Sequence, residues 1–177
     1  KEPEITADLT KISNDTGVSM IGLEHRVKTK DSFLRKVGTD SNHSLDAQAI
    51  TDTINSTNDV IRYTYQDNPL NLTNAYMNVT DAMKAKGYEV IRVKNTWLDK
   101  RSAYKGVNCI FKAPSGQKFE IQFHTPESFK IKDGPMHKLY EQSRLETTTP
   151  EKRAELNKKM FELSAQLEVP VNIDRIK

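Results

Sequence analysis

Cysteine is nearly absent from this sequence: Cys109 is the only one in 177 residues, which excludes an internal disulfide and a cysteine zinc site. Cys109 therefore reads as a small buried hydrophobe in a chain suited to a reducing cytoplasm. Glycine and proline are also sparse, at seven each, and no low-complexity segment, linker or internal repeat is visible. No run approaches the roughly 18 apolar residues of a membrane span, and no signal peptide can be recognised. Neither charge sign dominates: 27 Lys and Arg against 24 Asp and Glu leave a net charge of +3. The chain begins at Lys1 rather than Met, and the expectation is either an excised C-terminal domain or a trimmed chain, with any targeting signal lost with the missing part.

What is present describes a globular domain. Hydrophobic content is 36% and charged content 29%, and 177 residues can bury one substantial core. The expected organisation is a single domain over 1–177, with a helical lead-in over 1–24 and helices over 126–177. Ile5, Leu9 and Ile12 mark one face of a helix over Ile5–Asp15, which Gly17 stops. Met20–Lys28 reads as a turn into a short extended piece, with Arg26 and Lys28 on one side. Thr29 or Asp31 caps a helix over Ser32–Val37 that buries Phe33, Leu34 and Val37. Gly38–Ser44 reads as a loop, followed by a helix with Leu45, Ala49 and Ile50 inward. Val60–Tyr65 and Tyr88–Val93 read as strands around an amphipathic helix marked by Leu72, Ala75, Tyr76, Val79 and Met83 and ended by Gly87. Gly134-Pro135 and Thr149-Pro150 each open a C-terminal helix, the last ended by Pro170.

The cleanest alternation lies at Gln117–His124, where Phe119, Ile121 and Phe123 take one face of a strand and Glu120, Gln122 and His124 the other. Pro114-Ser115-Gly116 suits a three-residue hairpin loop back to Gly106–Lys112, with Gly116 in the left-handed position. That loop pairs Phe111 with Phe119, Cys109 with Ile121, Val107 with Phe123 and Asn108 with Gln122, so both strands share one apolar face and gather polar groups on the other.

No Walker loop, dinucleotide glycine fingerprint, nucleophile elbow or zinc-protease helix occurs, and His25, His43, His124 and His137 lack metal-ligand spacing. What remains is a distributed site. Asp59 at a strand entrance and Glu120 on a strand are two acids able to share a Mg²⁺ ion. Five of the residues 26–36 are basic against one acid, Asp31, and Ser32 and Lys36 share a helix side near its N-terminus, which suits phosphate.

Five segments, in order, carry a resemblance. Arg26-Val27-Lys28-Thr29-Lys30-Asp31-Ser32-Phe33-Leu34-Arg35-Lys36 has the R-x-K-x-x-x-S-x-x-x-K spacing of the ATP-binding segment of RelA/SpoT-type nucleotide pyrophosphokinases. Asn58-Asp59-Val60-Ile61-Arg62-Tyr63-Thr64 resembles that family's metal-binding Asp entering an Arg-bearing strand. Tyr104-Lys105-Gly106-Val107-Asn108 is similar to its Tyr-x-Ser-hydrophobic-His segment, Phe119-Glu120-Ile121-Gln122-Phe123-His124-Thr125 to its V-E-I-Q-I-R-T strand, and His137-Lys138-Leu139-Tyr140 to a later helix with a histidine. The compact members at the C-terminus of phage head proteins and polymorphic toxins look most alike.

The resemblance implies an α+β synthetase fold of nucleotidyltransferase type, with a central, mostly antiparallel sheet flanked by helices and a helical C-terminus. It implies an ATP-dependent enzyme that transfers the β,γ-pyrophosphate of ATP to the 3′-hydroxyl of a purine nucleotide, giving a (p)ppGpp- or (p)ppApp-like alarmone. ATP would lie against Arg26, Lys28, Ser32 and Lys36, with Mg²⁺ on Asp59 and Glu120 bridging its phosphates. Tyr104 would stack on the acceptor base, and Asn108, Gln122, His124 and Arg62 would contact the acceptor or its phosphates. No His-Asp dipeptide exists for a hydrolase half. Three departures stand out: the glycine between Asp and Arg is missing, with Asp52 as the fallback acid, Asn108 replaces a His, and His124 replaces an Arg. The alternatives are pyrophosphorylation of the 3′ end of tRNA, or an inactive nucleotide-binding or phage structural module. The toxin likeness adds an antitoxin or immunity protein as an expected partner, and a missing N-terminal domain.

Overall fold

The computed structural model describes residues 1–177, the side chain of Asn55 excepted. Helix α1 (Glu2–Thr16) buries Ile5, Leu9 and Ile12, the spacing that marks it in the sequence, and ends where Gly17 turns left-handed and donates its N–H to the Ser13 carbonyl. Strand β1 (Ser19–Ile21) follows, then a single 3₁₀ turn over Leu23–His25. The extended piece expected up to Lys28 shrinks to one bridge between Val27 and Ile61. Helix α2 (Lys30–Asp40) is capped by Thr29, whose hydroxyl accepts the Ser32 N–H, and helix α3 (Ala47–Ser56) by Asp46, which accepts from Gln48.

Strand β2 (Arg62–Gln66), helix α4 (Leu72–Ala85) and strand β3 (Glu89–Asn95) come next. Strands β4 (Val107–Lys112) and β5 (Lys118–His124) form the hairpin. Helix α5 (Pro126–Ile131) is joined through a wide π-type turn, Lys132–Met136, to α6 (His137–Ser143), and α7 (Pro150–Ser164) packs back on α6.

The five strands lie in the order β1-β2-β5-β4-β3. Only β2 and β5 run parallel; the other three pairings are antiparallel, as expected of a mixed α+β chain. The hairpin register is the expected one throughout: Phe111 faces Phe119, Cys109 faces Ile121, Val107 faces Phe123 and Asn108 faces Gln122. Gly116 sits at φ +82°, where a Cβ would be strained. Tyr63, Tyr65, Phe111, Phe119, Ile121 and Phe123 are all buried on the apolar face, beneath α1 and α4. The Tyr65 hydroxyl donates to the Leu9 carbonyl, and the Tyr76 ring meets Phe123 edge-on. A one-residue slip of β5 would turn Phe119, Ile121 and Phe123 outward and cost roughly 5 kcal/mol or more at the usual price of burying such side chains.

Three expectations need correcting. Helix α2 does not stop at Val37: it continues through Gly38 to Asp40, and the turn is made by Asn42 and His43 at positive φ, which suits short polar side chains. Leu45 is 97% exposed because it stands outside α3, ahead of the Asp46 cap, and Leu34 is 56% exposed because α2 buries Val37 but turns Leu34 to solvent. Gly134-Pro135 does open a helix, as expected: Gly134 takes the non-helical φ −100° and ψ −105°, which separates two helices, and Pro135 stands in the first turn of the one that runs on into α6. Strand β1 carried too few residues to show an alternation. No helix among the described residues is long and apolar enough to cross a membrane.

Candidate active site

On the polar face of the sheet, the parallel pairing of β2 with β5 sets Arg62 beside Glu120 and Thr64 beside Gln122, while β4 sets Asn108 beside Gln122 from the other flank. Parallel and antiparallel partners share a sheet face, so these side chains converge. Glu120 is only 9% exposed, and its two oxygens are taken separately: Oε1 accepts from Asn108 Nδ2 at 3.0 Å and Oε2 from Gln122 Nε2 at 3.1 Å. Burial pushes its carboxyl above the usual range, the Arg62 guanidinium pulls it back, and Asp59 raises it again. None of the ion pairs among the described residues includes Arg62.

Asp59 enters the same cleft, which Lys36, Asp40, Asn58, Arg92 and Glu120 also line. Its Oδ2 lies 3.1 Å from Lys28 Nζ and its Oδ1 3.9 Å from Lys36 Nζ, and that Oδ1 is buried with no hydrogen-bond donor. An acceptor with a negative charge and no donor is costly unless a cation completes it. Lys36 also pairs with Asp40 at 2.9 Å; burial works against its charge, but the two carboxylates outweigh that and raise its pKa. Ser32 stands one turn before Lys36 on the same side of α2, and the basic segment delivers Lys28 and Lys36 to Asp59.

Arg26 is placed differently. Its Nε donates to Glu2 Oε1 at 2.6 Å and its Nη1 to the Leu23 carbonyl, so the guanidinium clamps α1 rather than joining the lysines at Asp59. The fallback acid Asp52 is exposed on α3, where it accepts from Gln48. His137 is exposed on α6, 3.5 Å from Glu141.

At the other end, Tyr104 Oη lies 2.5 Å from Asn108 Oδ1 and 2.8 Å from His124 Nε2. His124 is 0% exposed, and its Nδ1 meets Ser128 Oγ at 2.9 Å. Burial first, then the Lys132 and Arg62 charges, lower its pKa to about 3, so the imidazole is neutral at any physiological pH. With both nitrogens engaged inside the fold, His124 is turned away from an acceptor. Burial and the Glu120 charge push the Tyr104 phenol well above its ordinary value, which keeps it protonated.

Lys132 escaped the sequence reading. Its side chain is 18% exposed, its Nζ lies 3.3 Å from Gln122 Oε1 and 4.7 Å from the centre of the Phe129 ring, and its nearest carboxylate, Asp133, is 3.9 Å away and exposed. Burial, then repulsion from Arg62, lowers its pKa to about 8. The signal was the i, i+4 spacing of Ser128 and Lys132 after Pro126, which matches His124 and Gln122 on the strand in reverse order. A lysine held below its unfolded value weakens the fold while protonated, and that penalty fades as pH rises from about 8 toward the ordinary 10.5. Lys132→Met should therefore be more stable than the parent protein at pH 7, by about 1–3 kcal/mol. The advantage should shrink between pH 8 and 10.5 in chemical denaturation, and an advantage that grows with pH would contradict the burial argument.

Two carboxylates and flanking lysines fit a Mg²⁺ ion that takes its remaining ligands from phosphates and water, since Mg²⁺ is commonly held by one or two protein carboxylates. The orphaned Asp59 Oδ1 is the atom that most needs such an ion. No cluster of three or more His, Cys, Asp or Glu ligands occurs among the described residues.

No protein-family model matches the sequence, and no curated protein is similar to it at a significant level. Solved structures do match. Small alarmone synthetase 1 from Bacillus subtilis bound to its product pppGpp superposes with a TM-score of 0.63 at 17% identity, covering 93% of this chain and 84% of that one. A GTP pyrophosphokinase family protein from Streptococcus pneumoniae gives 0.65 at 13% identity, over 93% and 82%. A chain in the complex between the Type VI effector Tas1 and its immunity protein gives 0.58 at 18% identity, over 94% and 91%. At these identities the likeness is one of fold: the chain has the RelA/SpoT-like synthetase fold that its motifs resemble.

Proposed function

We propose that this protein is an ATP-dependent pyrophosphotransferase that moves the β,γ-pyrophosphate of ATP to the 3′-hydroxyl of a purine nucleotide, giving a (p)ppGpp- or (p)ppApp-like product and AMP. The observation that carries the proposal is the shared cleft of Asp59 and Glu120, with Lys28 at one Asp59 oxygen and Lys36 3.9 Å from the other, which has no donor. The synthetase fold supports it. Phosphoryl-type transfer is mainly a matter of alignment and charge neutralisation, so a site of lysines and carboxylates without a covalent nucleophile is sufficient.

In this reading the triphosphate draws Lys28 and Lys36 off Asp59, and the N-terminal end of α2 near Ser32 favours the same anion. Mg²⁺, held by Asp59 and Glu120, would neutralise and align the triphosphate. Glu120 accepts the proton of the attacking 3′-hydroxyl, as its raised pKa suits. The bond from O3′ to the β-phosphorus forms, and the bridge between the α- and β-phosphates breaks. Tyr104 stacks on the acceptor base, and Arg62 faces the acceptor from β2. Arg26 reaches the phosphates only by leaving Glu2, so the carboxylate competes with ATP for it. Glu2→Gln should therefore lower the KM for ATP about threefold, on the scale of one weakened charge pair; a higher KM would oppose a phosphate role for Arg26.

Likeness to a chain of an effector–immunity complex supports extending the proposal to a toxin delivered to other cells and restrained by an immunity protein. The deciding experiment supplies ATP labelled in its β- and γ-phosphates with Mg²⁺, and offers adenine nucleotides, guanine nucleotides and tRNA separately. AMP release with label on a purine nucleotide is the expected result. Label on tRNA alone would replace the acceptor, and ATP binding without transfer would leave a nucleotide-binding module.

A further inference from the structure

Two chains of hydrogen bonds begin on the segment that follows β5 and end on the two oxygens of Glu120. One runs from Ser128 Oγ to His124 Nδ1 (2.9 Å), from His124 Nε2 to Tyr104 Oη (2.8 Å), from Tyr104 Oη to Asn108 Oδ1 (2.5 Å), and from Asn108 Nδ2 to Glu120 Oε1 (3.0 Å). The other runs from Lys132 Nζ to Gln122 Oε1 (3.3 Å) and from Gln122 Nε2 to Glu120 Oε2 (3.1 Å).

Counting protons gives the longer chain a single direction. A carboxylate only accepts, so Asn108 turns its NH₂ to Glu120 and its oxygen to Tyr104. An amide oxygen only accepts, so the phenol spends its one proton there, and His124 Nε2 must then be the donor to Tyr104. A neutral imidazole has one N–H, so Nδ1 accepts, and Ser128 supplies the proton in preference to its longer alternative, the Thr125 carbonyl at 3.2 Å. Lys132 can only donate. Every donor in both chains therefore points toward Glu120.

We propose that Tyr104, His124, Ser128 and Lys132 are positioning residues which, through the amides of Asn108 and Gln122, hold the Glu120 carboxylate in one orientation. The inference rests on the reading of Glu120 as a catalytic group. It reassigns Asn108, Gln122 and His124, which the resemblance gives to the acceptor. Their polar atoms are spent on one another and on Glu120, while neutral amides leave the carboxylate its charge and its outward lone pairs. Groups that orient a ligand in this way commonly change activity or metal affinity by 10–100-fold.

The tautomer of His124 tests the relay without any need for activity, so it can fail separately from the transferase reading. Long-range ¹H–¹⁵N correlation on the full chain should show Nε2–H and a bare Nδ1 for the one buried histidine. An Nδ1–H tautomer overturns the proposal. In Ser128→Ala, which removes the first donor, the Nε2–H tautomer should persist because Tyr104 still needs that proton, while the Nδ1 resonance should move as its hydrogen bond is lost, and an unaltered spectrum also overturns the proposal. In the transfer assay His124→Gln keeps a donor near the Nε2 position, whereas the shorter amide of His124→Asn does not reach Tyr104. The Asn variant should lose about 10–100-fold in kcat with the KM for ATP within about threefold, and the Gln variant should recover most of it. Equal losses in the two variants would mean that His124 only fills space.

Discussion

Glu120→Gln is expected to lower the rate of pyrophosphate transfer by at least about a thousandfold while leaving the melting temperature unchanged or raised. The substitution keeps the shape but removes the charge that would hold a divalent cation and the base that would receive the hydroxyl proton. It also sets an NH₂ group against one of two amide donors, Asn108 Nδ2 or Gln122 Nε2, where Glu120 now accepts from both. Asn108 is the amide that can flip, since a flipped Gln122 would turn its NH₂ to the Lys132 ammonium. The chain through Tyr104 and His124 then reverses, with Ser128 donating to the Thr125 carbonyl, and every group stays paired while a buried charge has been removed. Stability and activity should therefore move apart. Transfer assays beside thermal melts decide it: activity within tenfold of the parent protein would remove Glu120 from the chemistry, and a large drop in melting temperature would make the carboxylate structural.

Gly106→Ala should be the most damaging small substitution in the chain. Gly106 is buried, and a Cβ there would lie 2.7 Å from His124 Cε1, 2.7 Å from Tyr104 Oη and 3.0 Å from His124 Nε2. Neither ring can swing aside, because each is fixed by two hydrogen-bond partners, and the Gly106 backbone is itself tied through its N–H and carbonyl to the Thr96 hydroxyl. Overpacking of this kind costs about 1–3 kcal/mol and displaces what it touches. The expected outcome is a fall in melting temperature together with at least about a tenfold loss of kcat, since the displaced pair orients Asn108 and through it Glu120. A variant with the parent's stability and rate would show that the contact is looser than these distances.

What could be read from the letters follows from where the forces are local. Alternation at Phe119, Ile121 and Phe123 together with the turn residues at Pro114–Gly116 fixed the hairpin register, because both rest on a period of two and on glycine's freedom at positive φ. The motifs around Arg26, Asp59, Tyr104 and Glu120 pointed to a fold that the superpositions bear out. The three-residue β1 has no period to detect. Lys132 and Ser128 looked like ordinary helix-surface residues until the chain folded back over β5. Arg26 meets Glu2 across 24 residues of sequence, a pairing that no local pattern announces.

The central position of β5 has a consequence for synthesis. Strand β5 is the last of the five to be made, yet it lies between β2 and β4, so both neighbours expose unpaired edges until residues 118–124 emerge. Asp59 and Arg62 wait for Glu120 over the same interval, because the parallel register that unites them needs both strands. A chain cut short before β5 carries the lysines and one acid but no second carboxylate and no closed sheet. The late strand thus completes the sheet and the candidate site in one step, and no part-made chain that lacks β5 brings the two acids together.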